Sequence, residues 1–342
     1  MCKTIWIGVD LGSKSFFAAI ADGQTPPSAW ASLPVKEFAN TPTARTQFVA
    51  WVKGTLTADQ RIAGVCLEAT GGLAWDFARG IAQRLGALSI VNPARPVAFA
   101  RSLGLRDKTD RIDACVLALY GVALRPAPRP LPTSLQRQLR ELSALYERGK
   151  KDVRACENQL RETIESPVVR RSLRARLRAL EKEMALVATE MDRLIDSDAT
   201  LKEDARRMST IPGIAEKTRR VLLAHFGDLR EYSRNELVAL AGLYPKRFQS
   251  GTSVHKKPTL AKGGGARIRA ALYMAALTSR KHCPQLKRFA DRLEKNGMTK
   301  MAILGAVMRK LLLLARAVVV SGNDYQADYG QNAILPDGLS GG

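Results

Sequence analysis

Four carboxylates stand where they could meet. Asp10 closes the apolar run IWIGV and Glu68 closes AGVCLE, so each ends a strand-like segment. Asp110 and Asp113 lie three residues apart in LRDKTDRIDACVLAL, a spacing that puts both on one face of a helix. If the strands of Asp10 and Glu68 are parallel neighbours, their carboxylates leave the sheet side by side. Acids gathered in this way repel one another unless a cation lies among them. Mg2+ suits such a place, because it takes oxygen ligands and keeps several waters. Two such ions can clamp the attacking and leaving oxygens of an in-line displacement at phosphorus. Asp107, one turn before Asp110, is a candidate further member, and an acid favoured by the helix dipole accounts for it equally.

The turn after Asp10 admits a second chemistry. GVDLGSKS could cradle nucleotide phosphates, as in sugar kinases and actin-like ATPases. That reading requires a second D-x-G turn and a duplicated domain, and neither is found. EATGG, after Glu68, is Gly-rich but follows an acid on an apolar strand. The acids therefore outweigh the turn, and Lys14 is left as a contact to nucleic acid.

The elements that must position these groups alternate. Strand-like runs cover Thr4–Asp10, Phe16–Ala21, Ala29–Phe38, Ile62–Glu68 and Leu88–Val91, and helical patterns cover Thr43–Val52, Leu73–Leu85 and Asp110–Leu124. Three strands followed by strand-helix alternation predict an α/β domain with a mixed sheet over residues 1–130, closed by RPAPRPLP; in a sheet of ribonuclease-H-like type the strands of Asp10 and Glu68 would be parallel neighbours. Residues 131–206 carry two heptad runs, Leu135–Thr163 and Leu173–Leu201, parted by ESPVV around Pro167. They predict an antiparallel coiled-coil hairpin, with assembly of subunits through it as the alternative. Residues 207–330 read as a helical domain and 331–342 as a flexible tail. The domain opens with STIPGIAEKTRRVLLAHFG, whose Pro212-Gly213 turn has helix-hairpin-helix spacing. Amides at such a turn can hold a DNA phosphate without reading sequence.

Charge narrows the partners. The chain has 54 Lys+Arg against 32 Asp+Glu, a net +22 over 342 residues. Between Lys246 and Arg269 there are seven basic residues (Lys246, Arg247, Lys256, Lys257, Lys262, Arg267, Arg269) and no acid, which points to a polyanion. Within that block Ser250, in QSG, is a candidate nucleophile if neighbouring cations or a metal-bound phosphate lower the barrier to its attack. Thr252 and Ser253 compete for the role.

Other classes recede. The five cysteines form no C-x-x-C pair, and the three histidines lack cysteine partners at ligand spacing, so neither a disulfide framework nor a zinc site is expected. Ile303–Val320 is interrupted by Arg309, Lys310 and Arg316 and predicts a core helix, not a membrane span. No signal peptide is read at the start, and a reducing cytoplasm is the expected location.

Taken together, GVDLGSK, CLEATGG, VNPARPVAFARSLGLRDKTDRIDA, IPGIAEKT, AGLYPKRFQSGTS and a late RKL helix resemble the DEDD transposases of the IS one-ten (IS110) insertion-sequence family, bridge-RNA-guided recombinases. The KTDRIDA core is the most specific of these segments. The resemblance implies a RuvC-like domain in which Asp10, Glu68, Asp110 and Asp113 bind Mg2+, and a transposase domain whose nucleophile matches Ser250. It implies cutting and rejoining of target and donor DNA through a covalent phosphoserine, guided by a structured non-coding RNA. The acids of one subunit would complete the site holding another's serine, in a dimer or tetramer. Lys14, Lys246, Arg247, Lys256, Lys257, Lys262, Arg267 and the Gly213 turn would meet nucleic acid. One departure is KKP after the serine loop, where a glycine is expected near Lys256 or Lys257. A junction nuclease using water instead of Ser250, and a non-catalytic nucleic-acid binder, remain the alternatives.

Overall fold

The computed structural model describes residues 3–68, 72–105, 107–128, 131–250, 254–261 and 263–327, and the side chains of 247–250 and 254–258 lie outside the description. Thr252, Ser253, Lys262 and the tail 331–342 also lie outside the described residues. Packing divides the chain into two units, Met1–Pro132 and Thr133–Gly342.

In the first unit β1 (Lys3–Leu11), β2 (Ser15–Asp22), β3 (Val35–Ala39), β4 (Gln60–Glu68) and β5 (Leu88–Val91) form a mixed sheet ordered β3-β2-β1-β4-β5. β1 runs antiparallel to β2 and parallel to β4, and β5 continues parallel to β4. The α-helices among its described residues are α1 (Pro42–Thr55), α2 (Gly72–Leu85), α3 (Ala94–Ser102) and α4 (Asp110–Leu124). Side chains alternate across a strand, so Ile5, Ile7, Val9 and Leu11 enter one core with Phe48 and Val52 of α1 and Phe77 and Ile81 of α2. Trp6, Gly8 and Asp10 point to the opposite face, where Trp6 packs with Leu117 and Tyr120 of α4.

Two features of this unit differ from the pattern of the sequence. The strand expected over Ala29–Phe38 is a 3-10 turn at Pro27–Ser32 followed by the short β3. Pro27 in the first turn fixes a helical φ, and Pro34 cannot donate to a strand ladder. α3 forms in VNPARPVAFARS, outside the helical patterns of the sequence; Pro93 and Pro96 fall in or before its first turn, where no intrahelical donor is needed.

In the second unit α5 (Ser134–Arg161) and α6 (Pro167–Asp196) are long helices packed on each other. Thr133 and Gln136 form a reciprocal capping box that starts α5. Pro167 starts α6 rather than simply parting two helices, because the first turn needs no amide donor there. The helix expected to run to Leu201 stops at Asp196, since Asp198 accepts from the Leu201 amide (2.9 Å) and caps the next one. There follow α7 (Ala199–Ser209), α8 (Glu216–Phe226), α9 (Arg234–Ala241), β6 (Pro245–Ser250), β7 (Val254–Leu260), α10 (Ala266–His282), α11 (Pro284–Lys295) and α12 (Lys300–Ser321). β6 and β7 pair antiparallel, so a strand pair stands within the domain that reads as helical, with Ser250 at the end of β6.

Ile303, Val307, Leu311, Leu312, Ala315 and Val319 of α12 are buried in this unit's core with Leu222, Phe226, Leu272 and Ala276. Arg316 snorkels, giving Nε to the Tyr232 carbonyl (2.7 Å). Among the described residues no helix is long and apolar enough to cross a membrane. Cys66, Cys115, Cys156 and Cys283 are buried free thiols.

Candidate functional site

The parallel register of β1 and β4 decides where two of the acids lie. Val9 is level with Leu67, so Asp10 and Glu68 are the next residues on adjacent strands. Both belong to the face away from the core of α1 and α2, because Val9 and Leu67 are buried in that core. On their own face lies α4, held close at Gly8 by Ala114 and Ala118 and at Trp6 by Gly121. Contacts at residues 114, 118 and 121 with strand positions 8, 8 and 6 make α4 descend antiparallel to β1. Its first turn, with Asp110 and Asp113, therefore stands at the carboxyl end of the strand. Thr109 caps that turn, accepting from the Ile112 amide (3.2 Å).

The electrostatics agree with this construction. Burial pushes the Asp10 carboxyl up to about 6, aided by repulsion from Asp113, Asp110 and Glu68 in that order. Burial also raises Glu68, with Asp113 adding to it. Asp113 is raised by burial and by Asp110. All three feel one cation, Lys108, which pulls in the opposite direction. Lys108 is exposed and lies inside KTDRIDA, where nothing in the spacing of the residues marks it out from other lysines. Asp107 is exposed too and does not figure in the repulsion on Asp10.

The donors are hard oxygens, partly desolvated and short of positive charge, which fits an oxygen-seeking divalent cation. Among the described residues, no three His, Cys, Asp or Glu side chains already form a metal-holding group. The carboxylates share one end of the sheet without being drawn together.

The turn after Asp10 is occupied with its own hydrogen bonds. The Gly12 amide donates to the Ser15 carbonyl (2.9 Å), and Asn40 Nδ2 donates to the Gly12 carbonyl (3.0 Å). The Asn40 amide donates to the Lys14 carbonyl (2.8 Å). This turn bends β1 into β2 and is pinned beside β3, while the Lys14 side chain is exposed.

In the second unit Ser250 ends β6 opposite Val254. Lys246 is exposed opposite Thr259 at the other end of the strand pair. Arg247, Lys256 and Lys257 lie on the two strands, and Arg267 is exposed in the first turn of α10. Gly213 has φ +103°, between α7 and α8. Its bare side is covered by α10, since a Cβ there would fall 2.1 Å from Ser279 Oγ, which itself donates to the Pro212 carbonyl (2.7 Å). Packing thus accounts for the glycine. The amino end of α8 has no side-chain cap from Ala215, which leaves its amides as the group able to meet an anion.

Residues 7–167 match a family model described as "Transposase", of the DEDD type, and residues 205–291 match "Transposase IS116/IS110/IS902 family". Two relatives, each called "Pilin gene-inverting protein", come from Moraxella lacunata and Moraxella bovis. Each is 30% identical over 321 residues, covering 93% of this chain and 96% of the relative.

Proposed function

The chain belongs to the IS116/IS110/IS902 transposase family and is a DNA recombinase, and from that premise we propose that it exchanges strands through a serine-linked DNA intermediate under the direction of a guide RNA. The observation that carries the reading is the β1–β4 register, which makes Asp10 and Glu68 neighbours under the first turn of α4.

In this scheme Asp10, Glu68, Asp110 and Asp113 would hold Mg2+. The bound ion would draw charge from the scissile phosphate as the reaction passes through its transition state. The Ser250 oxygen bonds to phosphorus, the phosphorus bond to one strand's sugar oxygen breaks, and that oxygen leaves as a hydroxyl carrying the serine proton. The hydroxyl of the incoming strand reverses the step, joins the new strand and returns the serine. One phosphate ester is exchanged for another throughout, so no external energy source is needed. Thr252 and Ser253 are the rivals for the nucleophile.

Lys14, Lys246, Arg247, Lys256, Lys257, Lys262 and Arg267, with the amides after the helix-hairpin-helix turn at Gly213, neutralise nucleic-acid backbone. α5 and α6 act as a coiled-coil hairpin that assembles subunits, so that the acids of one subunit serve the serine of another. The relatives' name describes inversion of a pilin gene. The same exchange performed here would mobilise the chain's own element, with target and donor chosen by the RNA.

The test is to purify the protein, sequence the RNA that accompanies it, and ask whether that RNA templates joining of two DNAs. A specific RNA that directs joining is the expected result. Recovery of no specific RNA, with joining undiminished, would overturn the guided part.

A further inference from the structure

The two long helices of the second unit are electrically polarised along their length. From Arg148 to Leu180, the ends nearest the 162–166 connection, the chain carries ten basic and four acidic residues; the remainder of α5 and α6 carries four basic and seven acidic. The small net charge of the whole segment hides this division. Half of the ten are arginines in the first half of α6: Arg170, Arg171, Arg174, Arg176 and Arg178, with no acid between Pro167 and Leu180. All five are exposed. Among the described residues none of them has an ion-pair partner, although Arg170 Nη2 donates to the Ile164 carbonyl (2.9 Å).

Their spacing forms a stripe. At 3.6 residues per turn, Arg170, Arg171, Arg174 and Arg178 share one side of α6 and span about 12 Å of its axis. Leu173, Leu177 and Leu180, all half-buried, mark a different side. This end also stands clear of the unit's core. Leu139 of α5 and Val187, Met191, Leu194 and Ile195 of α6 enter that core, whereas between 144 and 186 Cys156 alone is buried.

We propose that the arginine end of α5 and α6 is an arm that grips the phosphate backbone of the duplex DNA flanking the exchange point. An unpaired guanidinium is suited to this, because its planar fork matches phosphate oxygens two at a time. The commitment to duplex rather than unpaired strands comes from composition: no Phe, Trp, Tyr or His occurs between Tyr146 and His225. Readers of single strands and RNA loops stack bases on such rings, and this arm has none to offer. It can position a duplex without reading it. The inference rests on the DNA substrate of the family and is independent of the role given to Ser250.

The test uses the full chain with Arg170, Arg171, Arg174 and Arg178 changed together to Gln, a residue of similar helix propensity, and a companion with the same four changed to Lys. Binding to a duplex DNA of arbitrary sequence is followed across salt concentration, with circular dichroism and the thermal midpoint certifying the fold. Each lost phosphate contact flattens the dependence of log affinity on log salt by about 0.9, so the Gln protein should lose up to about 3.6 from the slope and the Lys protein should keep it. If the quadruple variant fails to fold, Arg174→Gln alone should lose about 0.9. Three results overturn the proposal: an unchanged slope; a changed oligomeric state with an unchanged slope, which assigns the stripe to subunit contact; and a loss confined to a double-stranded RNA probe. The phosphoserine reading is judged by the covalent adduct and not by the slope, so its failure is seen in a different readout from a failure of the arm.

Discussion

Gly8 faces the Ala114 carbonyl so closely that a Cβ on the glycine would fall 2.2 Å from that oxygen, and equally close to the Ala118 amide nitrogen. Both obstacles are backbone, so neither can swing aside. The helix bearing Asp110 and Asp113 is therefore located by the absence of a side chain one turn of the pleat before Asp10. Gly8→Ala should force α4 outward at a cost of about 1–3 kcal/mol, the range for overpacked cores. Chemical denaturation would measure the loss, and an unchanged midpoint would refute the tight contact.

The carboxylates should be a burden to the protein when no cation is present. The unfolded Asp10 releases its proton near pH 3.8 and the folded one near 6, so as pH rises the unfolded chain ionises first and stability falls between those values. Asp10→Asn removes this loss. After discounting for partial solvent screening, the variant should gain about 1 kcal/mol over the natural chain at pH 8 in chelator, with the gap closing near pH 4. A variant less stable at both pH values would contradict the crowding of acids.

His225 predicts the opposite pH trend in the other unit. Burial, reinforced by Arg140 and Arg267, lowers its pKa from 6.5 to about 4. The unfolded chain takes up the proton first as pH falls, so the contribution is complete above pH 6.5 and is lost on descending to 4. The loss should reach at most about 3 kcal/mol and should be absent from His225→Gln. Denaturation profiles of the two proteins that run parallel from pH 7 to 4 would rule this out.

Asp204 is wholly buried and receives Nη1 and Nη2 of Arg230 at 2.7 Å each, with Arg207 at 3.6 Å. Arg230→Met leaves the buried carboxylate with the weaker partner alone and should cost about 3 kcal/mol. Arg230→Lys cannot supply both donors in that geometry and should restore only part of it. Calorimetric midpoints would order the three proteins, and a Met variant as stable as the natural chain would show the pair to be dispensable.

The acids were readable because they sit at places where periodicity is strict. Alternation in IWIGVDL and in AGVCLE already puts Asp10 and Glu68 on the face opposite the aliphatic core, and DRID puts its two acids on one side of a helix. What escaped were features set by single residues or by partners distant in sequence. Pro27 and Pro34 shortened a strand, a strand pair arose in a Lys-rich segment through cross-strand pairing, and Lys108 counts only because folding carries it to Asp10. The arginines of α6 are offset in the sequence by the acids beyond Leu180, and only the course of the helix sets the two groups apart.

The central claim is that Ser250 and the four carboxylates act in one strand exchange. Its most direct measurement is denaturing gel analysis of labelled DNA incubated with the protein, its RNA and Mg2+, followed by mass spectrometry of the peptide that retains the label. The natural chain should give a covalent adduct at Ser250, while Ser250→Ala and Asp110→Ala should give neither adduct nor cut strand. Cleavage of DNA by Ser250→Ala, with water as the nucleophile, would contradict the account.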